Sequence, residues 1–201
     1  MGVFKFYLDT DALNCLSGLH GKELDEFRDR FNSIDAELVI THVQIDERMN
    51  ADSLQERGRK YSDIVSKAVK TLRDNGINVK VENPKISVVG IARVGYCSAS
   101  NPAVGEVYDE LRKKICACEA SRHRRSRPKD VLNIARDAVI AVSAFEHSYL
   151  VTTDWCLSDS FNKVIEEKKE LVEKVIMPKA KFVGQSPRAV ADCILESFHE
   201  K

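Results

Sequence analysis

The chain lacks any apolar run near the roughly 18 residues a membrane span requires, so no spanning helix is expected. It lacks charge of one sign: Lys and Arg number 31, and Asp and Glu number 31. A neutral chain has no global pull toward nucleic acid or membrane, so any electrostatic preference must come from where charges cluster. It lacks a targeting pattern. The opening MGVFKFYLDTDAL meets Asp9 too early for the apolar region of a signal peptide, and Phe6 stands where myristoylation wants Ser or Thr. A cytoplasmic protein is the expectation. No G-x-x-x-x-G-K-[ST] loop occurs, which excludes a P-loop nucleotide hydrolase. The five histidines (His20, His42, His123, His147, His199) form no Ser–His or Cys–His arrangement for nucleophilic catalysis. There are no internal repeats and no low-complexity linker.

What is present is ample apolar material, 43% of 201 residues, which suffices for one sizeable core. A single domain over residues 1–201 is expected. Six cysteines (Cys15, Cys97, Cys116, Cys118, Cys156, Cys193) are scattered along a chain with no secretion signal, and buried reduced thiols are the expectation. Cys116 and Cys118 with His123 resemble half of a zinc site, without a second spaced pair.

Strand and helix patterns alternate. Val3–Leu8 is a short apolar run closed by Asp9, which predicts a buried strand. Helices are predicted at about 10–17 and 22–32, and a second strand at Glu37–Ile40. Thr41 reads as an N-cap, with Gln44 three residues on completing a capping box. The helical pattern then runs to about Arg73, with a break expected near Gly58, and Asp74-Asn75-Gly76 is a turn signal. Residues 77–102 hold two further strand-like runs, INVKV and ISVVGIA. Helices are predicted at about 103–120 and, opened by Pro128, at 128–147. A strand at Tyr149–Thr153, a charged helix at about 159–174, a strand near 181–183 and a helix opened by Ser186-Pro187 complete the chain. This alternation predicts an α/β fold: a three-layer α/β/α domain with a mostly parallel central sheet.

Acidic residues gather where such a sheet places its sites, beyond the carboxyl ends of the strands. The first strand delivers Asp9 and Asp11, the second leads to Asp46 and Glu47, and the late strand leads through Thr152 to Asp154, with Asp159 beyond. A strand-ending Asp alone is commonly a helix cap. Several on one edge repel one another unless a cation neutralises them. In the predicted 128–147 helix, Asp130, Asn133 and Asp137 fall on one arc beside an apolar face of Val131, Ile134, Ala135, Ala138, Val142 and Phe145. The helix dipole accounts for Asp130 in the first turn. It does not account for Asp137, two turns further in. Four carboxylates in one cleft make a hard oxygen site suited to Mg²⁺ or Mn²⁺, ions that promote phosphodiester hydrolysis.

In this order, FYLDTDAL, LVITHVQIDE, ARDAVIAVSAFEHSYL and VTTD resemble the PIN domains, metal-dependent nucleases that include toxin ribonucleases of toxin–antitoxin pairs. The resemblance covers roughly residues 1–60 and 125–165; the middle, about 75–110, is longer than in small members and carries no family motif. It implies an Mg²⁺- or Mn²⁺-dependent endoribonuclease with Asp9, Glu47, Asp137 and Asp154 as metal-binding catalytic residues. Asp46 is the neighbouring alternative to Glu47. Asp11, Asp130, Asn133, Thr152 and Asp159 are auxiliary candidates. The resemblance further implies products with a 5′-phosphate and a 3′-hydroxyl, an antitoxin or inhibitor protein as partner, and a homodimer. Asp9-x-Asp11 with Thr41, Asp154 and Asp159 also resembles haloacid-dehalogenase-type phosphatases, in which Asp9 would be a covalent nucleophile and Asp11 its acid/base. That alternative leaves Glu47 and Asp137 without a role. A catalytically silent RNA-binding module is the third reading.

Residues 112–129 (RKKICACEASRHRRSRPK) hold eight Lys or Arg and one acidic residue, Glu119. The run leads into the helix that carries Asp137. Arg122, Arg124, Arg125 and Arg127 are therefore the candidate phosphate contacts, with a solvated loop or an inhibitor-binding patch as the competing readings. Aromatic residues are sparse in this stretch, so backbone contact is expected rather than base reading.

Overall fold

Phe4, Phe6 and Leu8 alternate with Lys5 and Tyr7, and this period of two sends the side chains of the first strand to opposite faces of a sheet. Both faces are covered, because Phe6, Tyr7 and Leu8 are all buried. A computed structural model describes residues 3–45, 55–86, 102–122, 131–144, 148–168 and 179–199. In chain order the described elements are β1 (Phe4–Leu8), α1 (Thr10–Leu16), α2 (Gly21–Asn32), β2 (Ala36–Thr41), α3 (His42–Ile45) and α4 (Gln55–Asp74). They continue with β3 (Val79–Glu82), α5 (Pro102–Arg122), α6 (Val131–Ser143), β4 (Ser148–Thr152), α7 (Trp155–Glu167), β5 (Lys179–Phe182) and α8 (Pro187–His199).

The five strands form one parallel sheet in the order β3-β2-β1-β4-β5. Phe6 lies opposite Leu38 on one side and Tyr149 on the other, and Leu8 lies opposite Val151. One face carries Tyr7, Val39, Leu150 and Ala180 against Leu111, Ile115, Ala138, Val142, Leu157 and Phe161 of α5, α6 and α7. The other carries Phe6, Leu8, Leu38, Ile40 and Val151 against Leu13, Leu16, Phe27, Leu72, Val190 and Ile194 of α1, α2, α4 and α8. The protein is thus a three-layer α/β/α domain, and strands buried on both faces explain the near-continuous apolar runs. Each fully buried side chain of this size contributes about 1.5–3 kcal/mol from burial.

Local signals account for several element ends. Asp9 caps α1, and Ser186 Oγ accepts from Ala189 N at 3.1 Å at the start of α8. Gln44 Oε1 accepts from Thr41 N at 2.8 Å, the return half of the expected capping box. Gly76, at φ 78°, supplies the left-handed residue that closes α4.

Three expectations change. α4 runs unbroken through Gly58; one glycine costs a helix about 1 kcal/mol, which a helix of 20 residues absorbs. α7 begins at Trp155, four residues before the expected start, because Asp154 caps it directly after the strand. The thiols are not all reduced: Cys118 of α5 and Cys156 of α7 form a disulfide, with Cα atoms 5.7 Å apart. The two helices pack together and bring sulfurs 38 residues apart into bonding range. That bond also removes the Cys116–Cys118 half-site. Cys116 is exposed, two residues and about 200° away around the helix. The ISVVGIA run and His123 lie outside the described residues. Among the described residues, no helix is long and apolar enough to cross a membrane.

Candidate active site at the carboxyl edge of the sheet

The strand order turns at β1 and β4: the chain leaves β1 toward β2 and β4 toward β5, on opposite sides. The crevice beyond these two carboxyl ends is the switch point where parallel sheets bind ligands. Asp9 follows β1, and Thr152, Thr153 and Asp154 close β4. Their backbones are joined there, with Asp9 N donating to Val151 O at 3.1 Å.

Asp9 is buried, and its two oxygens receive three donors. Oδ1 accepts from Ala12 N at 2.6 Å. Oδ2 accepts from the Thr152 hydroxyl and from Thr153 N at 3.1 Å. Burial nevertheless pushes the carboxyl up from 3.8 to about 7; Thr152 and Ala12 pull it down, and the charges of Asp11 and Asp137 push it up. Asp9 is a helix cap held at an electrostatic disadvantage. Asp137, on α6, is half-buried with its Oδ2 enclosed, at the margin of the core where its helical spacing placed it.

Asp154 caps α7, with Oδ1 accepting from Leu157 N at 3.1 Å. Its own N donates to Thr152 Oγ1 at 2.9 Å. The hydroxyl of Thr152 therefore links the two aspartates: it donates to Asp9 and accepts from the backbone of Asp154.

Gln44 binds α3 to the same edge. Its Nε2 donates to Leu8 O at 3.0 Å, one residue before Asp9. Asp46 and Glu47, which follow α3 in sequence, lie outside the described residues, as do Asp130, Arg124, Arg125 and Arg127. Asp11 is exposed in the first turn of α1 and acts on Asp9 through its charge. Asn133 is exposed and accepts from Arg136 at 3.3 Å. Asp159 pairs with Lys163 at 2.7 Å along α7, an ordinary (i, i+4) ion pair. Arg122 is the exposed last residue of α5.

Two residues that the sequence reading left unassigned join this edge. Glu119, buried on α5, lies with Asp154 and Cys156 so that one donor atom of each falls within 4.8 Å of the others. Among the described residues this is the only set of three possible ligands so close; Asp9, Asp137 and Asp154 do not form one. Cys156 is bonded to Cys118 and offers no thiolate there. Trp155 is 42% exposed, with the Arg122 guanidinium 5.2 Å from its ring centre. Glu119 carried a signal as the single acidic residue of the basic run. Trp155 carried one as the sole tryptophan, next to a strand-ending Asp.

No family model, no curated protein and no solved structure matches this chain.

Carboxylate and hydroxyl oxygens are the donor types that hard divalent cations take. Asp9, Thr152 and Asp154 offer such oxygens at this edge, and burial, followed by the charges of Asp11 and Asp137, raises the proton affinity of Asp9. A cation beside Asp9 would supply the missing positive charge and hold it ionised at neutral pH.

Proposed function

We propose that this protein is an Mg²⁺- or Mn²⁺-dependent endoribonuclease whose metal is held at the carboxyl edge of β1 and β4. The observation that carries this reading is Asp9: a buried carboxylate at the switch point, pushed to about 7 by burial and by neighbouring negative charge. Asp9 and Asp137 would hold the cation. Asp154 is joined to Asp9 through Thr152, and Glu47 would complete the set from the chain that follows α3. Such a cation supplies Lewis acidity to activate water and to stabilise the leaving oxygen. The protein's own part is to fix the carboxylates. Backbone N–H groups of Ala12, Thr153 and Leu157 orient them, and the Thr152 hydroxyl couples them.

RNA as substrate, and a toxin role blocked by a protein partner, rest on the resemblance of the four sequence blocks to PIN domains. The phosphatase reading accounts for fewer of the acidic residues. A nucleophilic Asp9 would leave Asp137, whose charge acts on Asp9, without a part in the reaction, whereas a cation would use both carboxylates. The test is cleavage of end-labelled single-stranded RNA with Mg²⁺ or Mn²⁺, against EDTA. Metal-dependent cleavage lost in Asp9→Asn is the expected result. Release of phosphate from small monoesters, with beryllofluoride trapped on Asp9 and RNA intact, would replace the nuclease by the phosphatase.

A further inference from the structure

We propose that Trp155 and Arg122 form a stacking platform for one unpaired base of a single-stranded nucleic acid lying across the carboxyl edge. The identity of that strand as the substrate rests on the nuclease reading; the platform itself rests on separate observations.

The first is exposure. Large aromatic rings are normally buried, yet Trp155 keeps 42% of its surface open beside Asp154. Phe182 is 52% exposed at the end of β5, in register with Thr152, so a second open ring stands on the same edge. The second is the cation. The Arg122 guanidinium lies over the indole at 5.2 Å, a cation–π contact that leaves its charge at the surface. An aromatic face joined to an Arg charge meets both needs of a single strand, a surface for the base and a counter-charge for the phosphate. The third is rigidity. Cys118 and Arg122 are four residues apart on α5 and share one side of the helix, while Trp155 and Cys156 are adjacent in α7. The Cys118–Cys156 bond fastens the two helices at the point where ring and guanidinium meet. A preorganised platform loses less side-chain entropy on binding than a free ring.

Stacking reads every base and both sugars alike, so the platform takes single-stranded RNA and DNA and rejects a duplex, whose bases are already stacked. Trp155 is the only tryptophan, so its fluorescence reports this position alone. The experiment titrates the full-length Asp9→Asn protein in EDTA with 12-residue oligouridylate, oligothymidylate and a duplex of the same length. Quenching by both single strands and not by the duplex is expected. Trp155→Ala should weaken single-strand binding about tenfold, and Trp155→Phe should restore most of it. Unquenched fluorescence with unchanged affinity in Trp155→Ala would overturn the platform. So would quenching that follows protein concentration without nucleic acid, which would assign the ring to a face between copies of this chain. Quenching by single strands, with no cleavage by the wild type in Mg²⁺ or Mn²⁺, would keep the platform and remove the nuclease. Cleavage without quenching would do the reverse.

Discussion

Asp9 and Asp154 do the same local job in different surroundings. Each follows a parallel strand, adopts an extended backbone and caps the next helix with its Oδ1. Asp9 is enclosed, takes three donors and sits among the charges of Asp11 and Asp137. Asp154 is half-buried, and its Oδ1 accepts from Leu157 N of α7. A cap needs one acceptor oxygen. Asp9 exceeds that in burial and in crowding by like charge. That excess is the ground on which we propose Asp9 as a ligand for a cation.

Substitutions at these two positions should therefore diverge. Asp9→Asn should lower metal-dependent cleavage by more than the roughly 10–100-fold typical of a supporting residue, and should remove stabilisation by Mg²⁺ in thermal melts. Its fold should survive without a large gain in stability. Relief of repulsion is offset where the new amide N–H₂ meets the donor of Ala12 or Thr153. Asp154→Asn keeps a good cap, so its stability should stay within about 0.5 kcal/mol of wild type. A loss at Asp154 as large as at Asp9 would erase the distinction.

The disulfide fastens only the Asp154 side. Replacing Cys118 and Cys156 together with Ser should cost about 2–4 kcal/mol in denaturant unfolding, since the bond closes a loop spanning 38 residues. It should leave Mg²⁺ binding at Asp9 within a few fold. Thr152 is where the two sides join. Thr152→Val keeps shape but takes a donor from Asp9 and an acceptor from the Asp154 backbone, at about 1–3 kcal/mol. It should also raise the Asp9 carboxyl further, because Thr152 is the strongest influence holding it down. Asp11→Asn should act least. It removes one exposed charge and lowers the Asp9 carboxyl slightly, which NMR titration of the side chain would show.

The elements that frame this contrast are legible in the sequence; the contrast itself is not. VFKFYL closed by Asp9, and Thr41 with Gln44 three residues on, are local patterns whose causes lie within a few residues; the strand is found, and of the capping box the return bond from Gln44 to Thr41 N is found. The position of Asp137 followed from helical spacing beside an apolar face. The early start of α7 is not legible because the charged pattern begins only at Asp159, while Trp155, Cys156 and Leu157 after the Asp154 cap carry no charge. Trp155 and Cys156 were thereby left outside the helix. The Cys118–Cys156 bond, the approach of Glu119 to Asp154 and the stacking of Arg122 on Trp155 all depend on how α5 packs against α7. Residues 33 to 38 positions apart along the chain carry no periodic signal of such contacts. The depth of Asp9 was likewise hidden, because a strand-ending Asp reads the same whether its neighbourhood is wet or dry.

The most direct test of the metal site is thermal unfolding of wild type and Asp9→Asn from pH 4 to pH 8, with and without Mg²⁺. A carboxyl near 7 in the fold and near 3.8 in the unfolded chain binds its proton more tightly when folded. Its contribution is therefore fully present below about pH 4 and is lost as pH rises toward 7, at about 1.4 kcal/mol per pH unit within that window. Without Mg²⁺, wild type should lose stability relative to Asp9→Asn across this range and then level off. With Mg²⁺, the loss should be reversed at pH 7 and above in wild type and unchanged in Asp9→Asn. Parallel curves for the two proteins, insensitive to Mg²⁺, would show that Asp9 is only a helix cap and would contradict the account.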